Sequence, residues 1–308
     1  MSRSEAGRGA GLGGASPSGS GAESLDQESL VRVVGQALAE DVGDGDWTTL
    51  WTVPPGLRTR ARIIARQPLV TAGGEVVFEV LRQAAPGTTL RLLIPDGTRV
   101  EAGTELVILE GPARQILTAE RVLLNFLGRL SGVATLTRRF VDAVAGTGAA
   151  ITDTRKTTPG LRFLEKAAVR AGGGKSHRSG LFDMVLIKEN HIAAAGGVRR
   201  AVEAVQRENR AGLPVEVEVA RPSQVEALEG LGVPRLLLDN MSDAEMRQVV
   251  ELVEGWKDPR PLLEASGDMS LERVPSVARV GVDLISVGAL THSAPSANLS
   301  LLLEGVGG

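Results

Sequence analysis

Between Leu25 and Leu38 the apolar positions Leu30, Val31, Val33, Val34, Ala37 and Leu38 recur at the spacing of one helical face. That helix is expected to stop in the acidic, turn-rich run Glu40-Asp41-Val42-Gly43-Asp44-Gly45-Asp46. Alternating stretches then predict short strands over Arg58 to Arg66, Thr89 to Ile94 and Glu105 to Glu110, separated by Pro95-Asp96-Gly97 and Glu101-Ala102-Gly103 turns. A helix follows from Ala113 or Thr118 to about Arg129. From residue 150 the rhythm becomes strand and helix in turn. The strand candidates are 150–153, 184–188, 215–220, 235–239, 261–266 and 283–287, and the helical segments between them are 161–170, 198–209, 222–231, 243–256 and 271–280.

Such alternation implies parallel strands joined by right-handed crossovers, which either a doubly wound sheet or a barrel satisfies. The barrel is favoured because all six strands end in polar residues, whereas an open sheet concentrates them at one switch point. Those ends read Asp153-Thr154-Arg155-Lys156, Lys188-Glu189-Asn190, Glu216-Val217-Glu218, Asp239-Asn240, Ser266-Gly267 and Gly288-Ala289. The short strands before residue 113 resemble the small barrel-sandwich of biotinyl and lipoyl carriers. Carrier chemistry fails there, because attachment needs a lysine and none precedes Lys156.

Length and composition narrow the chemistry. A chain of 308 residues allows roughly two domains, and 43% hydrophobic with 23% charged residues is ordinary for a globular protein. Residues 1–22 are Gly-, Ser- and Ala-rich and are expected to form a flexible tail without the apolar stretch of a secretory signal. No run of 18 apolar residues predicts a membrane helix. There is no cysteine, which excludes thiolate nucleophiles and cysteine-based metal sites and fits a cytoplasmic setting. Tyrosine is absent and only His177, His191 and His292 supply imidazoles, so catalysis falls to Lys, Arg, Asp, Glu, Ser or those three. His191 and His292 read as structural or loop residues, His177 as a functional one in a basic loop.

A net charge of -3 gives no field for nucleic acid or an anionic membrane. Any basic site is therefore local. Residues 153–189 hold eight Lys and Arg against four acids and include four of the chain's five lysines, which points to an anionic ligand. At the predicted mouth, Arg155, Lys156, Arg178 and Lys188 can hold carboxylate or phosphate, while Glu218 and Asp239 call for a hard cation such as Mg²⁺. The bland reading of Glu216 and Glu218 is one face of an ordinary strand. Ala171-Gly172-Gly173-Gly174-Lys175-Ser176 has the look of a P-loop end, but Val169 occupies the place of the first required glycine. Two adjacent acids before a Thr-Gly-rich loop, the usual phosphoribosyltransferase signature, are also missing around Leu238-Asp239-Asn240.

Taken together, Asp153-Thr-Arg-Lys-Thr-Thr-Pro-Gly-Leu-Arg162, Gly172-Gly-Gly-Lys-Ser-His-Arg178 and Leu186-Ile-Lys-Glu-Asn-His191 closely resemble the quinolinate phosphoribosyltransferases. The segments 40–49, 119–125, 216–219, 238–240, 264–267 and 287–293 are similar to that family too, in its order. Ser176 departs from the usual Asn, and Ala167-Ala168 from a common aromatic. The resemblance implies transfer of the 5-phosphoribosyl group of PRPP to quinolinate with loss of CO₂, giving nicotinate mononucleotide and pyrophosphate. It implies an N-terminal α/β sandwich over 23–132 completed by 289–308, and an incomplete α/β barrel over 133–288. It further implies a homodimer in which Arg121 reaches the neighbouring subunit's site. On this reading Arg121, Arg155, His177, Arg178 and Lys188 bind quinolinate, Ser266, Gly267, Gly288 and Ala289 receive the 5-phosphate, and Glu218 and Asp239 hold Mg²⁺. Lys156 and Lys188 assist pyrophosphate departure. Two alternatives remain open: a molybdate-operon paralogue with another acceptor, whose members tend to lose the lysine matching Lys188, and a non-catalytic PRPP or phosphate sensor.

Overall fold

A computed structural model describes residues 25–257 and 259–304. The expected tail lies outside them. The first helix, α1 (Gln27–Val42), runs on through Glu40 and Asp41, and Asp46 then caps a short α2 (Trp47–Thr52) by accepting from the Thr49 amide at 3.0 Å. β1 (Arg58–Ala65), β2 (Leu69–Val70), α3 (Gly74–Ala84), β3 (Thr89–Leu92), β4 (Arg99–Val100) and β5 (Glu105–Pro112) follow. Helix α3 was not expected, although Val76, Val77, Val80 and Leu81 are spaced for a helical face and pack into the core. Asp96, from the turn after β3, fixes its start by accepting from the Gly73 and Gly74 amides.

The helix expected to end near Arg129 is instead α4 (Ala113–Ala143), 31 residues long. Leu130, Val133, Ala134, Thr137 and Phe140 continue its buried stripe, so nothing in the sequence stops it earlier. α1, α3 and α4 pack together as a helical layer against an antiparallel sheet in the order β12-β1-β5-β3. β12 (Leu299–Glu304) comes from the far end of the described chain and lies along β1 in the register Arg60 to Glu304.

The parallel elements are β6 (Ala150–Thr152), α5 (Arg162–Ala171), β7 (Val185–Ile187), α6 (Glu189–Ala195), α7 (Val198–Glu208), β8 (Val215–Val219), α8 (Pro222–Glu226), β9 (Arg235–Asp239), α9 (Asp243–Glu254), β10 (Leu262–Ser266), α10 (Val274–Val280), β11 (Leu284–Ser286) and α11 (Ala289–His292). All six predicted strands form, in the order β6-β11-β10-β9-β8-β7. The barrel is incomplete because β6 and β7 do not pair. The glycine run lies along this seam: the Lys175 amide donates to Ile151 O at 2.8 Å and the Asp153 amide to Lys175 O at 3.2 Å. Gly172 is needed there, since a Cβ would come within 2.5 Å of Ala134 O on α4. Helix α8 is shorter than expected, because the chain turns at Leu228 and again through Gly230 and Gly232, both at positive φ.

Candidate active site

The carboxyl ends of the barrel strands surround a cleft of about 390 Å³. Arg155, Lys156, His177, Arg178, Lys188, Glu218, Asp239 and Ser266 all line it, so residues spread over the barrel sequence meet at one place. Gly288 abuts Lys156: a Cβ there would lie 3.1 Å from Lys156 Cδ. Gly267, at φ 123°, lets the chain pass Asn240, whose Oδ1 a Cβ would approach to 2.4 Å. Ala289 opens α11 beside them. Arg121 is not in this cleft. It lies exposed on α4, in a separate pocket with Asn125, Gly128 and residues 296–299.

Local structure holds the cationic residues in place. Lys188 sits just before α6, and His191 Nδ1 accepts from its backbone amide at 2.9 Å, which gives His191 the structural role expected of it. Lys188 Nζ reaches Glu218 Oε2 at 2.8 Å across the mouth. The carbonyl of Lys156 accepts from the buried Thr291 hydroxyl at 2.8 Å. Glu165 of α5 holds the Thr158 amide and hydroxyl, and is itself paired at 2.7 Å with Arg129 of α4, which also donates to Ala294 O at 2.8 Å. The long helix thus clamps the loop that carries Arg155 and Lys156.

His177 is fixed from both sides. Asp153 Oδ1 accepts from its amide at 2.9 Å, while Lys166 Nζ donates to its carbonyl at 2.9 Å and pairs with Asp153 at 2.5 Å. Burial pushes the Asp153 carboxyl up and the Lys166 ammonium down, and their contact opposes both shifts. On the ring, Nε2 lies 3.0 Å from Glu216 Oε2 and 3.4 Å from Glu264 Oε1, both carboxylates fully buried. Nδ1 lies 2.7 Å from the Arg178 amide, a hydrogen bond that only the neutral ring makes. Burial lowers the imidazole pKa, but hydrogen bonds and charge from the two carboxylates outweigh it and hold it at about 9. The Arg178 amide thus favours a bare Nδ1 with the proton on Nε2, while the two carboxylates favour protonation of the ring.

Because the folded value exceeds the ordinary imidazole value of 6.5, His177 stabilises fully below about pH 6.5 and loses that contribution as pH rises through about 9. The expected loss is at most about 3 kcal/mol. Urea unfolding at about pH 6.5 and about pH 9.5 checks it, with a flatter profile in His177→Gln.

His177, Glu216 and Glu264 also offer three possible metal-ligand atoms close together. The cation's place is already filled: Arg235 Nε is 3.0 Å from Glu216 Oε1 and its terminal nitrogen contacts Glu264, which also accepts from Ser286. Glu218 and Asp239 are the better candidates for a divalent ion, being hard oxygen donors that face the open cleft. Sequence reasoning did not single out Lys166, Glu165, Arg129 or Arg235 as contributors. Each acts through a partner distant in sequence, so no local motif marked it.

Profiles described as quinolinate phosphoribosyl transferase, N-terminal and C-terminal domains, match residues 46–131 and 133–302. The chain is 45% identical over 261 residues to the nicotinate-nucleotide pyrophosphorylase [carboxylating] of Mycobacterium leprae, covering 84% of this chain and 91% of that one. It is 40% identical over 294 residues to the quinolinate phosphoribosyltransferase [decarboxylating] 1b of Nicotiana tabacum, covering 89% and 82%. The solved nicotinate-nucleotide pyrophosphorylase of Francisella tularensis superposes with a TM-score of 0.87 at 36% identity, covering 91% of this chain and 98% of that one.

Proposed function

The chain belongs to the quinolinate phosphoribosyl transferase family, and from that premise we propose how its own residues divide the work. The reaction is transfer of the 5-phosphoribosyl group of PRPP to quinolinate with decarboxylation, a step of NAD biosynthesis. One observation carries the assignment of roles: the cleft gathers five basic side chains with three acids, Glu218, Asp239 and the buried Glu264.

Quinolinate has two adjacent carboxylates, which the guanidinium forks of Arg155 and Arg178, with His177 and Lys188, are suited to hold. The 5-phosphate would rest against Ser266, Gly267, Gly288 and Ala289, where glycine lets the backbone come close. Lys156 and Lys188 would stabilise charge as pyrophosphate leaves. The pyridine nitrogen is itself the nucleophile, so no general base is required, and catalysis is positioning and electrostatics. The pyridinium then formed stabilises the electron pair left at C2 when CO₂ departs. Glu218 and Asp239 would hold Mg²⁺, which when bound neutralises charge on the pyrophosphate. Activity is expected to vanish in excess chelator and to fall about tenfold or more in Asp239→Ala. Full activity in either case removes the metal role.

A homodimer is proposed on the exposed face beside Arg121. Trp47, Leu50 and Trp51 of α2 are exposed there, and α2 is tied to α4 by Arg114, which donates to Leu50 O at 2.9 Å. Arg114, Thr118, Arg121 and Asn125 follow one another along the same side of α4. Uncovered apolar area of this kind marks a protein contact, and a second copy covering it would take Arg121 to a neighbouring cleft. No described helix is long and apolar enough to cross a membrane. A cytoplasmic location is proposed, supported by the cysteine-free sequence; a rice relative is named as chloroplastic.

Purified protein given PRPP is expected to release pyrophosphate and CO₂ only when quinolinate is added, and to turn over nicotinate far more slowly. Equal turnover of nicotinate would overturn the acceptor assignment, and PRPP binding without turnover would favour a sensor.

A further inference from the structure

Arg235 opens β9 at the amino end of the barrel strands, where side chains ordinarily serve stability rather than chemistry. By the period of two it faces inward with Leu237 and Asp239, both of which line the cleft. Its neighbours in register are Glu216 on β8 and Leu262 on β10. The guanidinium takes one oxygen of each buried carboxylate, Glu216 Oε1 and Glu264 Oε2. The other two, Glu216 Oε2 and Glu264 Oε1, face the His177 ring. Four groups from three neighbouring strands and the seam loop therefore form one closed cluster. Its upper members, His177 and Glu264, line the cleft.

The formal charges decide what Arg235 contributes. Glu216 and Glu264 place two buried carboxylates under a cleft assigned to a doubly anionic acceptor. Arg235 sets a permanent positive charge directly against both. Screening is weak in this setting, because both carboxylates are fully buried and the guanidinium is only 15% exposed. Around the ring, the charged groups are Glu216 from β8 and Glu264 from β10, with Arg178 following in the chain; Lys166 and Asp153 reach only the His177 backbone.

We infer that Arg235 is a positioning residue for the acceptor: it neutralises and fixes the two carboxylates that hold His177, so that the floor of the cleft admits an anion. The inference rests on quinolinate being the acceptor. The competing view is a buried ion pair that serves stability alone.

Three variants separate these views: Arg235→Lys, Arg235→Gln and the double variant Arg235→Gln/Glu216→Gln. KM for quinolinate and for PRPP, kcat, and quinolinate affinity by equilibrium dialysis are measured alongside Tm. Arg235→Gln is expected to raise the quinolinate KM and Kd about tenfold while the PRPP KM stays within about twofold, the split expected when one charged contact to one ligand is lost. Arg235→Lys keeps the charge and is expected to restore most of the loss. The double variant removes one charge of each sign and is expected to return quinolinate affinity to near wild type. If Arg235→Gln does not fold, the double variant decides, with near-normal quinolinate affinity supporting the inference. A folded double variant that binds quinolinate as weakly as a charge-deficient floor predicts overturns it, as does a lowered Tm with unchanged quinolinate KM in Arg235→Gln. Wild-type protein that neither binds nor consumes quinolinate overturns the acceptor assignment instead.

Discussion

Lys188→Ala is expected to lower kcat by about a hundred- to a thousandfold while the protein stays folded, the scale on which a single preorganised donor acts in a transition state. Lys188 is exposed at the barrel mouth and contributes no core packing. Its folded-state partner is Glu218, a pair with one half-exposed member that adds little to stability. Removing the ammonium leaves the carboxylate without its counter-charge next to where phosphate oxygens bind, so the acid would repel the group it is meant to serve. The loss should therefore appear in turnover, not in Tm. The measurement is steady-state kinetics beside thermal unfolding; a lowered Tm with unaltered kcat would make Lys188 structural.

Mixing two inactive variants is expected to restore about a quarter of wild-type activity. Arg121 lies outside the cleft, on the exposed side of α4, whereas Lys188 lies within it. If a second copy brings Arg121 to its neighbour's cleft, Arg121→Ala and Lys188→Ala homodimers are each nearly inactive. A mixed dimer contains one site with both residues intact. Random exchange makes half the dimers mixed, with one good site of two in each, which gives about a quarter by two-fold symmetry. The bland alternative, that Arg121 merely makes a helix salt bridge, predicts that Arg121→Ala alone stays active, and no recovery on mixing once subunit exchange has been verified would overturn the shared site.

The barrel strands were legible because each is a short apolar run ending in a polar residue, a pattern that depends only on near neighbours in sequence. The mouth was legible for the same reason: converging strand ends bring Arg155, Lys188, Glu218 and Asp239 together without any knowledge of register. The sequence reading ends helix α4 at about Arg129, yet its apolar stripe runs on to Phe140. The floor was illegible. Arg235, as the first residue of a strand, reads as a solvated charge, and its partners Glu216 and Glu264 lie on two other strands. Only the parallel registers bring the three together. The glycine run, which Val169 already excludes as a P-loop, has a packing role that its sequence did not show: Gly172 lets the chain come close against α4.

The pairing of β12 with β1 has a consequence for the order of events during synthesis. β1 can join β5 soon after Pro112 emerges, but its other edge must wait for Leu299–Glu304. At about 5–20 residues per second the whole barrel is translated first, a delay on the order of ten seconds or more. Throughout it β1 offers a free hydrogen-bonding edge, the kind of template on which chains aggregate. The edge is guarded by Arg58, Arg60 and Arg62, which alternate along one face of the strand and repel another copy of themselves. In the finished fold Arg60 and Arg62 pair with Glu304, so the charges that keep a nascent edge apart become the ones that receive its last strand.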